Sequence, residues 1–111
     1  CLCVTLGSRG VAYFAAPGFE RLADLRAPRP FAAQLGPIRT ALVPAEPIRG
    51  PGEGDPTGCG DVWGATYFSR LVAGDKLGDA MRVANRAAAR NVEHRGATGL
   101  AHHLRGELSL T

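Results

Sequence analysis

A mixed α/β fold, with helices packed against a sheet, is what this sequence predicts. Three observations carry it. Two short β-prone runs lie close together near the start, and two segments with apolar residues at three- and four-residue spacing lie later. The stretch between them is dense in Gly and Pro.

LCVTL (Leu2–Leu6) and VAYFA (Val11–Ala15) flank GSRG, and two such runs around a Gly-bounded four-residue turn predict a β-hairpin. Pro17–Pro37 is rich in Pro, Arg and Ala without periodicity and reads as connecting structure. ALVPA (Ala41–Ala45) reads as a further short strand, at an edge or ending where Pro44 withholds an N–H. RGPGEGDP (Arg49–Pro56) breaks regular structure and predicts a loop.

Beyond the loop, Val62, Ala65, Phe68, Leu71 and Val72 predict a helix from about Gly60 to Ala73 with those residues inward. Gly74 is a stop and Asp75 a natural N-cap for the next helix. Leu77, Ala80, Met81, Ala84, Ala88 and Val92 mark the buried face of that second helix, to about His94, and GATG (Gly96–Gly99) breaks it. There are no internal repeats.

Composition removes several classes of function. The net charge is +3, but the cations are scattered arginines with Lys76 the only lysine, and aromatics are few, so nucleic acid is not an expected partner. The three cysteines form neither a CxxC pair nor a Cys/His zinc spacing, which argues against a disulfide framework. No apolar run reaches the roughly 18 to 20 residues that span a bilayer, so no membrane association is expected and a cytoplasmic setting is the default. Cys1 opens inside an apolar run, and we read the 111-residue chain as a portion of a longer protein.

The chemistry concentrates in DPTGCGDVWGATYF, residues 55 to 68. A helix N-terminus presents unpaired N–H groups and a partial positive charge. Gly58 and Gly60 leave those amides open to a ligand and Cys59 is small, so an anion such as a phosphoryl group is held by backbone donors. Asp61 then stands beside the anion. A carboxylate there opposes simple anion storage, yet it suits proton removal from an incoming hydroxyl while the amides stabilise the phosphoryl group. For this motif alone, a plain acidic first helical turn is the nearer reading. No P-loop is present, and the third glycine of a dinucleotide fingerprint would fall on Trp63.

VTLGSRGV (Val4–Val11) is by itself a hairpin; functionally it brings Thr5, the turn amides and Arg9 toward a nucleotide. Asn85 puts an amide on an apolar helix face and needs partners, either a backbone carbonyl or water or the base or ribose of a nucleotide. His94, His102 and His103 lack acid or Cys partners at metal spacing and read as surface residues. Cys59 reads as a small residue lining the turn rather than a reactive thiol.

In order, VTLGSRGV, DPTGCGDVWGATYF and AMRVANRAAARNVEHRGATG resemble the C-terminal part of PfkB/ribokinase-like carbohydrate kinases, whose catalytic acid sits in a pattern close to D-T-T-G-A-G-D. The resemblance runs from Val4 to about Gly99 and includes an Asp, Asp55, six residues before Asp61. It implies a three-layer α/β/α fold of which residues 1–111 are the C-terminal portion, without the sugar-binding half. It further implies an ATP- and Mg²⁺-dependent kinase acting on a sugar or nucleoside hydroxyl. Asp61 would be the base, with Gly58, Cys59 and Gly60 as the anion hole. Thr5, Gly7, Ser8, Arg9, Gly10 and Asn85 would face the nucleotide. Asp55 and the backbone of Thr57 match a K⁺ site, completed near Asn91, His94 and Gly96.

Cys59, Pro56 and Thr66 depart from the family pattern, and RGPGEG is longer than usual. The resemblance leaves homodimerisation of the parent open, and this portion alone is expected to lack kinase activity. A non-catalytic nucleotide-binding or regulatory module on the same fold is the alternative.

Overall fold

A computed structural model describes residues 1–26, 36–49 and 54–94. The fold there is mixed α/β. Strands β1 (Leu2–Thr5), β2 (Val11–Ala15) and β3 (Arg39–Val43) form one antiparallel sheet in the order β1-β2-β3, and helices α1 (Cys59–Val72) and α2 (Leu77–Glu93) follow.

The hairpin forms as its sequence predicts, with Cys3 opposite Tyr13 and Thr5 opposite Val11. Its turn is a single 3-10 turn, Gly7–Arg9, closed by the Leu6 N–H donating to Gly10 O at 2.8 Å. Gly10 has φ +100°, and a Cβ there would lie 2.1 Å from Val43 O, so only glycine lets the turn lie against the end of β3. β3 pairs with β2 on one side only, and Pro44 follows it directly, as an edge strand requires. Of the Pro17–Pro37 connection, Leu22–Leu25 form a short 3-10 turn; residues 27–35 lie outside the described residues.

Alternation sorts the sheet into two faces. Val11, Ala15 and Val43 are buried and join Trp63, Leu71, Leu77, Ala80, Met81 and Ala84 in one core. Leu2, Val4, Phe14 and Leu42, on the opposite face, are all exposed. The described residues thus make two layers, a sheet with helices against one face, where three layers are implied by the family resemblance.

Both helices lie where expected but are rotated or capped differently. In α1 the inward residues are Trp63 and Leu71, with Tyr67 half-buried between them, an i, i+4 stripe. Phe68 (65% exposed) and Val72 (63%) point outward, against the predicted face, while Val62 is half-buried and Ala65 exposed. The indole prevails because it buries more apolar area than valine and also finds a hydrogen-bond partner inside. Asp75 does not cap α2. Arg70 clamps its carboxylate through Nε (2.7 Å) and a terminal nitrogen (2.9 Å), and Lys76 occupies the N-cap position. The hydrogen bonds from Arg70 hold the Asp75 carboxyl below its ordinary range. In α2 the predicted Leu77, Ala80, Met81 and Ala84 are buried; Ala88 and Val92 are half-buried, and Ala89 and Asn91 go inside instead.

Candidate functional site

α1 begins in the glycine turn. Gly58 takes φ +79°, a left-handed conformation that glycine adopts without strain, and its carbonyl accepts the first helical bond from Val62 N at 3.0 Å. Asp61 is an exposed residue of the first helical turn. The Cys59 N–H, expected in the anion hole, instead donates to Pro56 O at 3.1 Å and closes the turn. Among the described residues nothing accepts a hydrogen bond from the amides of Gly58, Gly60 or Asp61. The open donors of the turn are therefore these three, with Asp61's own amide in place of that of Cys59.

The loop before the turn is fastened to the far end of α2. Asp55 N donates to Val92 O at 3.0 Å, and Gly54, at φ +69°, lies so close that a Cβ would sit 2.4 Å from Val92 Cγ1. Thr57 N donates to Asp55 Oδ1 at 2.9 Å. The Thr57 hydroxyl and then its backbone N–H hold the Asp55 carboxyl below its ordinary value of 3.8.

Because the folded-state pKa is depressed, the stabilisation is complete above the ordinary value and disappears as pH falls through the folded one. Asp55→Asn is expected to lower the urea midpoint at neutral pH, with the difference from the parent chain shrinking on acidification. A pH-independent difference would contradict this.

Asn91 ties the two segments together. Its side-chain N–H₂ donates to Thr57 O (3.0 Å) and to Cys59 Sγ (3.3 Å), while the Cys59 thiol donates to Ala88 O at 3.5 Å. Asn91 is fully buried, and its carboxamide oxygen has no hydrogen-bond partner among the described residues. Such an oxygen fits an electropositive neighbour. His94 is half-buried at the C-cap of α2, less exposed than expected; His102, His103 and Gly96 lie outside the described residues.

A mostly apolar cavity of about 440 Å³ opens between the β1–β2 turn, the segment after β3 and the two helices. Its wall brings together Thr5, Gly7, Ser8 and Gly10 with Cys59, Gly60 and Asn85, residues up to 80 positions apart. Arg9, Gly58 and Asp61 do not line it, and Arg9 is exposed.

Asn85 is one of the cavity's struts. It accepts from Trp63 Nε1 at 2.8 Å and donates to Pro44 O (2.8 Å) and Val43 O (3.3 Å). Its amide is engaged by the fold, as in the backbone-carbonyl alternative. Trp63, which sequence reasoning left out of the site, walls the same cavity and stacks on Tyr67 with centroids 5.0 Å apart. Its place one turn after Cys59 on the same helix was the available signal.

A second hollow, of about 510 Å³, is lined by Glu20, Arg21, Asp24, Arg39 and Lys76 among others. Its charges largely answer one another: Arg39 and Lys76 pair with Glu20 at 3.2 and 3.9 Å. The described residues contain no group of three or more His, Cys, Asp or Glu able to hold a metal, and no helix long and apolar enough to cross a membrane.

The fold and site together define a class: a mixed α/β domain with an apolar cavity beside the N-terminus of a helix that opens in a glycine turn. No protein-family model, curated protein or solved structure matches the chain.

Proposed function

We propose that the chain is the nucleotide-handling portion of a ribokinase-like, PfkB-type kinase that transfers the γ-phosphoryl group of ATP to a hydroxyl of a sugar or nucleoside. The observation that carries the reading is the single cavity uniting the Thr5–Gly10 turn with the Cys59–Gly60 turn at the start of α1. The apolar wall suits a base, and the open amides of Gly58, Gly60 and Asp61 suit a phosphoryl group. Asp61 is the base that takes the proton of the acceptor hydroxyl. Its exposure fits an acceptor arriving from outside the cavity.

Mg²⁺ would come with ATP, held by phosphates and water, and would neutralise charge developing on the phosphoryl oxygens. Asp55, Thr57 and the unpartnered oxygen of Asn91 are the groups that would hold K⁺. The setting is the cytoplasm, where ATP is plentiful.

The absence of Asp61 from the cavity wall favours one second reading, a module that binds nucleotide without transferring phosphate. Titration of the chain with ATP, followed by emission of its single tryptophan, Trp63, tests the shared part, since Trp63 walls the cavity. A saturable change is expected; no response to any purine nucleoside triphosphate at millimolar concentration defeats both readings. A panel of sugars and nucleosides, offered to the longest natural form of the protein with ATP, separates them. Phosphorylated acceptor supports the kinase, and binding without transfer supports the module.

A further inference from the structure

The polar side chains lining the cavity divide into those already engaged and those still able to bond a ligand. Asn85 has both amide hydrogens and its oxygen in use, the Trp63 N–H is given to Asn85, and the Cys59 thiol is given to Ala88 O. What remains are the Thr5 and Ser8 hydroxyls, on the β1 side, and the carboxylate of Glu46, on the segment after β3. Glu46 is the one charged residue among those lining the cavity. Its partner among the described residues is Arg86, with Nε 3.6 Å from Oε1, too long for a hydrogen bond.

A carboxylate is an acceptor-only group with two oxygens in one plane. Beside an apolar slot it favours a ligand edge with N–H donors and disfavours one that presents a lone pair. Guanine carries N1–H and the N2 amine side by side and can meet both oxygens at once. Adenine places its N6 amine next to the N1 lone pair, so one contact attracts and the other repels. Hypoxanthine has N1–H alone.

We infer that Glu46 reads the base of the bound nucleotide and makes this cavity prefer a guanine nucleotide over an adenine one. The inference rests on the nucleotide reading of the cavity and shifts the expected phosphoryl donor from ATP toward GTP. Bidentate, charge-assisted recognition of a base edge discriminates by about ten- to a hundredfold.

The test is equilibrium titration of the full 111-residue chain with the Mg²⁺ complexes of GTP, ITP and ATP, read by Trp63 emission and calorimetry. GTP is expected to bind about ten- to a hundredfold more tightly than ATP, with ITP between them. Glu46→Gln keeps the shape but replaces one acceptor with a donor, and should bring GTP to within about threefold of ATP. ATP binding as tightly as GTP, or a Glu46→Gln chain that keeps the guanine preference, overturns the role of Glu46 and leaves the nucleotide reading standing. Failure of all three nucleotides to bind overturns both.

Discussion

Asn85→Leu is expected to destabilise the protein by about 3 to 5 kcal/mol, which for a domain of this size is a large share of its total stability. Leucine fills similar space, so the loss comes from polar groups rather than from a cavity. Trp63 Nε1 loses its acceptor, and Pro44 O and Val43 O lose their donor. Each buried group left unpaired costs about 1 to 3 kcal/mol. Urea unfolding monitored by far-ultraviolet circular dichroism gives the value for this chain and for variants that lack Trp63.

A double variant separates lost hydrogen bonds from poor packing. Trp63→Phe in the Asn85→Leu chain removes the stranded donor, so the pair should cost less than the two single changes added together. Strict additivity, or an Asn85→Leu chain as stable as its parent, would show that the amide bonds contribute little.

Asp61→Asn is expected to lower phosphoryl transfer by roughly 10²-fold or more in the longest natural form of the protein, the scale of a general base. Nucleotide affinity should change little, because Asp61 does not line the cavity. The helix-start reading predicts a different pattern. An acid in the first turn contributes about 0.3 to 1 kcal/mol to the helix, so Asn would give slightly lower stability and unchanged turnover. The split between turnover, affinity and unfolding midpoint decides between them, and unchanged transfer defeats the assignment of the base.

The hairpin, the edge strand before Pro44 and the approximate bounds of both helices were legible in the sequence because their causes are local. Gly7 and Gly10 bound the turn, and period-three-and-four spacing marks the helices. The direction in which α1 faces was not. Of Val62, Ala65, Phe68, Leu71 and Val72, Leu71 alone is buried, and the helix turns Trp63 inward beside it, where the indole N–H finds Asn85 on α2. Asp75 failed as a cap for a similar reason. The α1–α2 bend brings Arg70 within bidentate reach, and a charge-assisted pair outcompetes an N-cap bond.

The candidate site shows the same division. The DPTGCGD turn carries its own chemistry: a left-handed glycine, open amides and an acid in the first helical turn are consequences of residue type and order. Packing alone engaged Asn85 within the fold and placed Glu46 and Trp63 in the cavity wall. The physical reason is range. Backbone conformation and helix-end donors depend on neighbours a few positions away, whereas hydrogen-bond partners and cavity walls depend on segments that meet only when the sheet and helices close on one core.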